Sequence, residues 1–143
     1  VDVVVKIHPN ESPAFYQEII AAQSYPVRVA EDGLHEYLAG ANLAVTINSN
    51  VGLEAMVLGT PVACVTKWSP LIRARPYATA GPVPVLRSTD DIRAFFANID
   101  DGMIAELTAA EQAFVEEYYL HETAVADIVR SIGDEHKLPE NRS

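Results

Sequence analysis

Two polar clusters in this sequence each follow an apolar run: His8-Pro9 and the triplet Asn48-Ser49-Asn50. Pro9 biases His8 toward an extended backbone and delays any helix. The imidazole then stands at the end of a strand, where it can donate to a phosphate or act as a general acid. Lys6, two residues earlier, shares a strand face with His8. The competing role for His8 is to tie down its own loop.

The triplet sits where a strand turns into a helix. The first N–H groups of a helix lack internal partners, and the helix dipole adds partial positive charge there, so a phosphate fits. Ser49 and Asn50 add donors, and Gly52 lets a ligand approach the backbone. Plain N-capping explains the same residues. The helix that follows is apolar except for Glu54. A helix apolar all round is usually buried, and a buried carboxylate needs a partner. The two hydroxyls of a ribose would serve; so would a structural salt bridge. Lys67, Arg73 and Arg75 crowd one Pro- and Gly-rich stretch, residues 66–84, with Arg87 just beyond. Such a group suits a phosphate or a sugar carboxylate, or it pairs with the surplus acids.

Alternating elements must position these groups. Strands are expected over Asp2–Ile7, Pro26–Ala30, Leu43–Ile47, Pro61–Val65 and Val83–Leu86, the first a continuous apolar run as in a strand covered on both faces. Ser12 and Pro13 predict the start of a first helix, Asp32 and Gly40 bracket a second, and Val51–Leu58 forms a third that ends at Gly59. Ser88 with Asp91, and Thr108 with Glu111, have capping-box spacing and predict two further helix starts. A last helix is expected to stop at Gly133, so residues 1–133 read as one domain and 134–143 as a polar tail. Strands alternating with helices predict an α/β fold: a Rossmann-like three-layer domain with a parallel sheet, whose ligands sit beyond the carboxyl ends of the strands.

Composition sets limits. The net charge of −10 argues against a nucleic acid polymer as partner, yet leaves room for a small anion in a locally positive pocket. The one cysteine, Cys64, reads as a buried, inert thiol. No metal site, P-loop, dinucleotide fingerprint or hydrolase elbow is present in the sequence. No apolar run approaches a membrane span and no signal pattern opens the chain, so a cytoplasmic protein is expected. The sequence begins without Met inside a strand-like run and reads as a piece of a longer protein.

"KIHP" at Lys6–Pro9 and "TINSNVGLEAMVLGTPV" at Thr46–Val62 resemble the C-terminal half of a GT-B glycosyltransferase. More narrowly, they resemble bacterial capsule-polysaccharide enzymes of the Kdo-transferase and sialyltransferase type. "FVEEYYLHETAVADIVRSI" is similar to the closing helices of such domains. The resemblance implies donor binding for transfer of an acidic sugar, such as Kdo or sialic acid, from a CMP donor to a glycan acceptor. It implies nucleotide contacts from Lys6, Pro9, Asn48, Ser49, Asn50 and Gly52, with Glu54 on the ribose and His8 on the phosphate or leaving group. No cofactor is implied beyond the nucleotide sugar as substrate. The family also has an N-terminal Rossmann-like domain outside these residues. Through the full-length protein it would give peripheral association with the cytoplasmic face of the inner membrane. The triplet departs from the family in having Asn where a second Ser or Thr is frequent. Alternatives are a UDP-sugar transferase or epimerase, a polyol-phosphate transferase using a CDP donor, and a noncatalytic scaffold of a polysaccharide-assembly complex.

Overall fold

The computed structural model describes residues 2–24, 26–30, 33–47, 49–66, 76–79 and 81–118. Strands and helices alternate as β1 (Val3–Val5), α1 (Pro13–Ala21), β2 (Val27–Val29), α2 (Leu34–Ala39), β3 (Ala44–Thr46), α3 (Asn50–Val57) and β4 (Val62–Val65). The order continues with α4 (Pro76–Thr79), β5 (Val85–Leu86), α5 (Thr89–Asn98) and α6 (Asp101–Tyr118). The fold class is α/β and Rossmann-like, as the sequence predicts. The expected strands are present but shorter, and they form two hydrogen-bonded sets instead of one sheet. β1 pairs with β2, and β3, β4 and β5 pair in that order. Every pairing is parallel.

The β3–β4–β5 set has three layers, and β4 shows why. Its side chains alternate between faces. Val62 and Cys64 join Leu38, Ala55, Met56, Phe114 and Val115 on one face. Ala63 and Val65 join Leu86 and Phe95 on the other, with Ile92 and Leu107 packed against them. All four β4 residues are buried, which is why this strand reads as an unbroken apolar run. Cys64 is free and buried, in line with the bland reading of its run, and burial pushes its thiol up to about 11, with the nearby Glu111 carboxylate adding to the effect.

The ends of the helices follow local chemistry. Ser88 accepts from the Asp91 N–H and the Asp91 side chain accepts from the Ser88 N–H, completing the capping box at α5. The Asp91 carboxyl is held below the usual range, first by the Arg87 backbone N–H and then by Ser88. Ser12 does precede α1, but its side chain makes no capping bond. Gly33 takes the N-cap position of α2 in a left-handed conformation, and the expected cap Asp32 lies outside the described residues.

The Thr108–Glu111 spacing misleads. No helix starts there; α6 runs through both residues from Asp101, with Asp100 accepting from the Met103 N–H ahead of it. Thr108 instead donates back to the Ile104 carbonyl, a local bond open to any mid-helix threonine. The Pro- and Gly-rich stretch of residues 66–84 contains the short helix α4. The helix predicted to end at Gly133 and the tail 134–143 lie outside the described residues.

Candidate functional site

The carboxyl ends of β1 and β3 open onto one cavity of about 380 Å³. It gathers Lys6, His8 and Pro9 from beyond β1, and Thr46, Ser49 and Gly52 from the end of β3 and the start of α3. Five residues named from sequence are thus brought together: Lys6, His8, Pro9, Ser49 and Gly52. Asn50 is exposed and Glu54 half-buried, and neither lines the cavity. Asn48, Lys67, Arg73 and Arg75 lie outside the described residues.

His8 is held by its own turn. Its Nδ1 accepts from the Asn10 N–H at 3.1 Å, and its backbone N–H donates to Glu11 Oε2 at 3.3 Å. The neutral imidazole therefore carries its proton on Nε2, which is the nitrogen left to act as donor. The loop-tying role and a ligand-facing role use different ring atoms, so both fit one geometry.

Ser49 caps α3, its Oγ accepting from the Val51 N–H at 3.2 Å. Its carbonyl accepts from the Tyr77 hydroxyl. A Cβ on Gly52 would lie 2.8 Å from the Tyr77 oxygen. The missing side chain of Gly52 thus makes room for a buried phenol, a role its sequence context did not suggest. Tyr77 is 2% exposed and ties α4 to the start of α3. Its only sequence signal is an aromatic residue among Pro, Gly and Ala in a basic stretch.

Glu54 corrects an expectation. Only one face of α3 is covered, through Gly52, Ala55 and Met56, while Val57 and Leu58 are exposed. The Glu54 side chain is 41% exposed and its Oε2 lies 3.1 Å from Nε2 of His35 on α2. An apolar composition all round does not bury a short helix lying on one face of a sheet. His35 is an exposed residue of α2, and nothing in its local sequence points to a partner on α3.

The buried carboxylate among the described residues is Glu111. It is 1% exposed; Oε2 accepts from the Val62 N–H at 2.8 Å, while Oε1 has no hydrogen-bond partner among the described residues. Burial pushes its carboxyl up to about 8, against a smaller opposite pull from the Val62 N–H. Its signal was present: Leu107, Phe114 and Val115 lie one turn away on either side, so Glu111 interrupts an apolar helix stripe.

The first cavity is lined mainly by apolar residues, among them Val4, Ala30, Leu34, Leu38 and Val45, with a few polar groups at the strand ends. Lys6, His8, Tyr37, Thr46 and Ser49 line it, and no carboxylate does among the described residues. In a chain of net charge −10 this is a locally non-acidic, largely apolar hollow with a few polar groups, which leaves room for an anionic or polyhydroxyl ligand. No group of His, Cys, Asp and Glu that could hold a metal ion occurs among the described residues. None of their helices is long and apolar enough to cross a membrane. No family model, curated protein or solved structure matches this chain.

Proposed function

We propose that this chain is the donor-binding domain of a glycosyltransferase that transfers an acidic sugar, such as Kdo or sialic acid, from a CMP donor in bacterial surface or capsule polysaccharide synthesis. One observation carries the reading: a cavity at the carboxyl ends of β1 and β3, lined by no acid among the described residues, where Lys6, His8 and Ser49 converge. In this reading the phosphate lies at the start of α3 near Ser49, with Lys6 balancing its charge. The His8 Nε2–H donates to the phosphate or leaving group. The ribose reaches Glu54 by displacing His35 from the carboxylate. Lys67, Arg73 and Arg75 are proposed to meet the phosphate or the sugar carboxylate. A glycan acceptor and an N-terminal GT-B domain complete the enzyme, working at the cytoplasmic face of the inner membrane without a cofactor or nucleic acid polymer.

A second reading has a specific observation in its favour. His8 and Glu54 both have partners within the protein, Asn10 and His35, as a noncatalytic scaffold domain of a polysaccharide-assembly complex would allow. Titration with CMP, CDP and UMP, followed by NMR, separates the readings. CMP binding weakened about tenfold by Ser49→Ala, the loss of roughly one charge-assisted hydrogen bond, supports the transferase. A preference for UMP changes the donor to a UDP-sugar. A folded chain that binds none of them favours the scaffold.

A further inference from the structure

β1 and β3 each have a strand partner on one edge only, β2 and β4 respectively, among the described residues. Their other edges border the same space. The cavity of about 380 Å³ is lined by Val4 of β1 and by Ala44, Val45 and Thr46 of β3. A second cavity of about 720 Å³ adjoins it, with Val3, Val4, Leu43 and Val45 in its lining. Val4, Leu43 and Val45 belong to both, and no residue of β4 or β5 lines either. Val45, central in its strand, is 49% exposed.

Two edges hydrogen-bonded to each other would lie about 4.8 Å apart and leave no cavity between them. Unpaired backbone N–H and C=O groups on an apolar strand edge instead attract another strand. The strand order leads to the same place. Each set is parallel within itself, and the two cavities place the carboxyl ends of β1 and β3 together on one and their amino ends together on the other, so the order is β2-β1, a gap, then β3-β4-β5. A strand placed in the gap and counted first gives the doubly wound order 3-2-1-4-5-6, with its switch point beside β3. Direct pairing of β1 with β3 gives the other common order, but it does not account for the cavities.

We propose that an extended apolar segment from outside residues 1–143 inserts between β1 and β3 as a parallel strand, joining the two sheets into one. The lining states its chemistry. Tyr37 and Leu38 belong to α2, while Phe96 and Ile104 come from α5 and α6. Covered on both faces, the segment is a run of Val and Ile, not an alternating one. Its amino-terminal end lies by Asp2, Glu36, Asp100 and Asp101, which outnumber Arg28 there, so Lys or Arg precedes the run. The inference rests on strand order and cavities and stands apart from any nucleotide.

The test uses the 143-residue chain and a synthetic peptide, Lys-Lys-Val-Ile-Val-Val-Thr, with a control carrying Pro at its central position. The readout is amide hydrogen exchange at Val3–Val5 and Ala44–Thr46, measured by NMR. The expected result is slowing of at least about tenfold by the peptide on both edges, and none by the proline control. Three results would overturn the proposal: no added protection with peptide; full protection of both edges in the dilute chain alone, which means that β1 and β3 pair directly; and protection that rises with protein concentration, which means that a second copy fills the gap.

Discussion

β1, β2 and α1 are as apolar in sequence as the elements around β4, yet the two regions are built differently. All four residues of β4 are buried, and helices cover both of its faces. The three valines of β1 are only half-buried, α1 has no buried residue, and Phe15 and Ile19 are exposed. A run of valines supplies the capacity for burial, and helices packed on both faces supply the burial itself. Among the described residues β4 is also paired on both edges and β1 on one.

The largest expected effect belongs to the packed region and depends on pH. The Glu111 carboxyl titrates near 8 when folded, against an ordinary 4.5. Below pH 4.5 it is protonated in both states and costs nothing. As pH rises toward 8 only the unfolded chain releases the proton, so stability falls across this window and then levels off. At ~1.4 kcal/mol per pH unit the loss is on the order of 5 kcal/mol. Urea unfolding at a series of pH values should show this decline in the parent and a flat profile in Glu111→Gln. A parent that gains stability between pH 5 and 8 would contradict the buried carboxylate.

Next comes cavity formation. Met56→Ala, at a site 1% exposed, should cost about 3 kcal/mol, whereas Ile20→Ala in α1 should cost under about 1 kcal/mol. Equal losses would mean that α1 is packed as firmly as α3. Gly52→Ala should cost about 2 kcal/mol by crowding Tyr77, and Gly52→Ala with Tyr77→Phe should recover part of that loss, since the clashing oxygen is gone. The smallest contrast compares two serines that read alike. Ser88→Ala removes a complete capping box and should cost about 1 kcal/mol, while Ser12→Ala should cost a few tenths (about 0.3 kcal/mol). Both are measurable by thermal unfolding.

That serine pair marks what the sequence made legible. Spacing identified both helix starts, because caps are local. It did not reveal that only Ser88 closes its hydrogen bonds, because α1 is not held by a core. The alternation of elements and the turn at Ser49 were legible for the same local reason. The division of the strands into two sheets was not, since pairing joins residues far apart in the chain. Glu54 and Glu111 exchange roles because composition does not tell which face a helix turns inward. Tyr77 was missed because its partners, Ser49 and Gly52, are distant in sequence. The convergence of Lys6, His8 and Ser49 followed from one rule about strand ends; their precise partners needed the fold.

Cys64 gives the chain a built-in clock. It is the only sulfhydryl among 143 residues, it is 0% exposed, and its thiol is pushed up to about 11. A thiolate-seeking reagent therefore finds nothing to attack until β4 parts from its neighbours, and every labelled molecule records one such opening. Labelling rates in plain buffer, followed by mass spectrometry, would time the breathing of the central strand without a probe being introduced, and any ligand or added strand that steadies the sheet should slow the count.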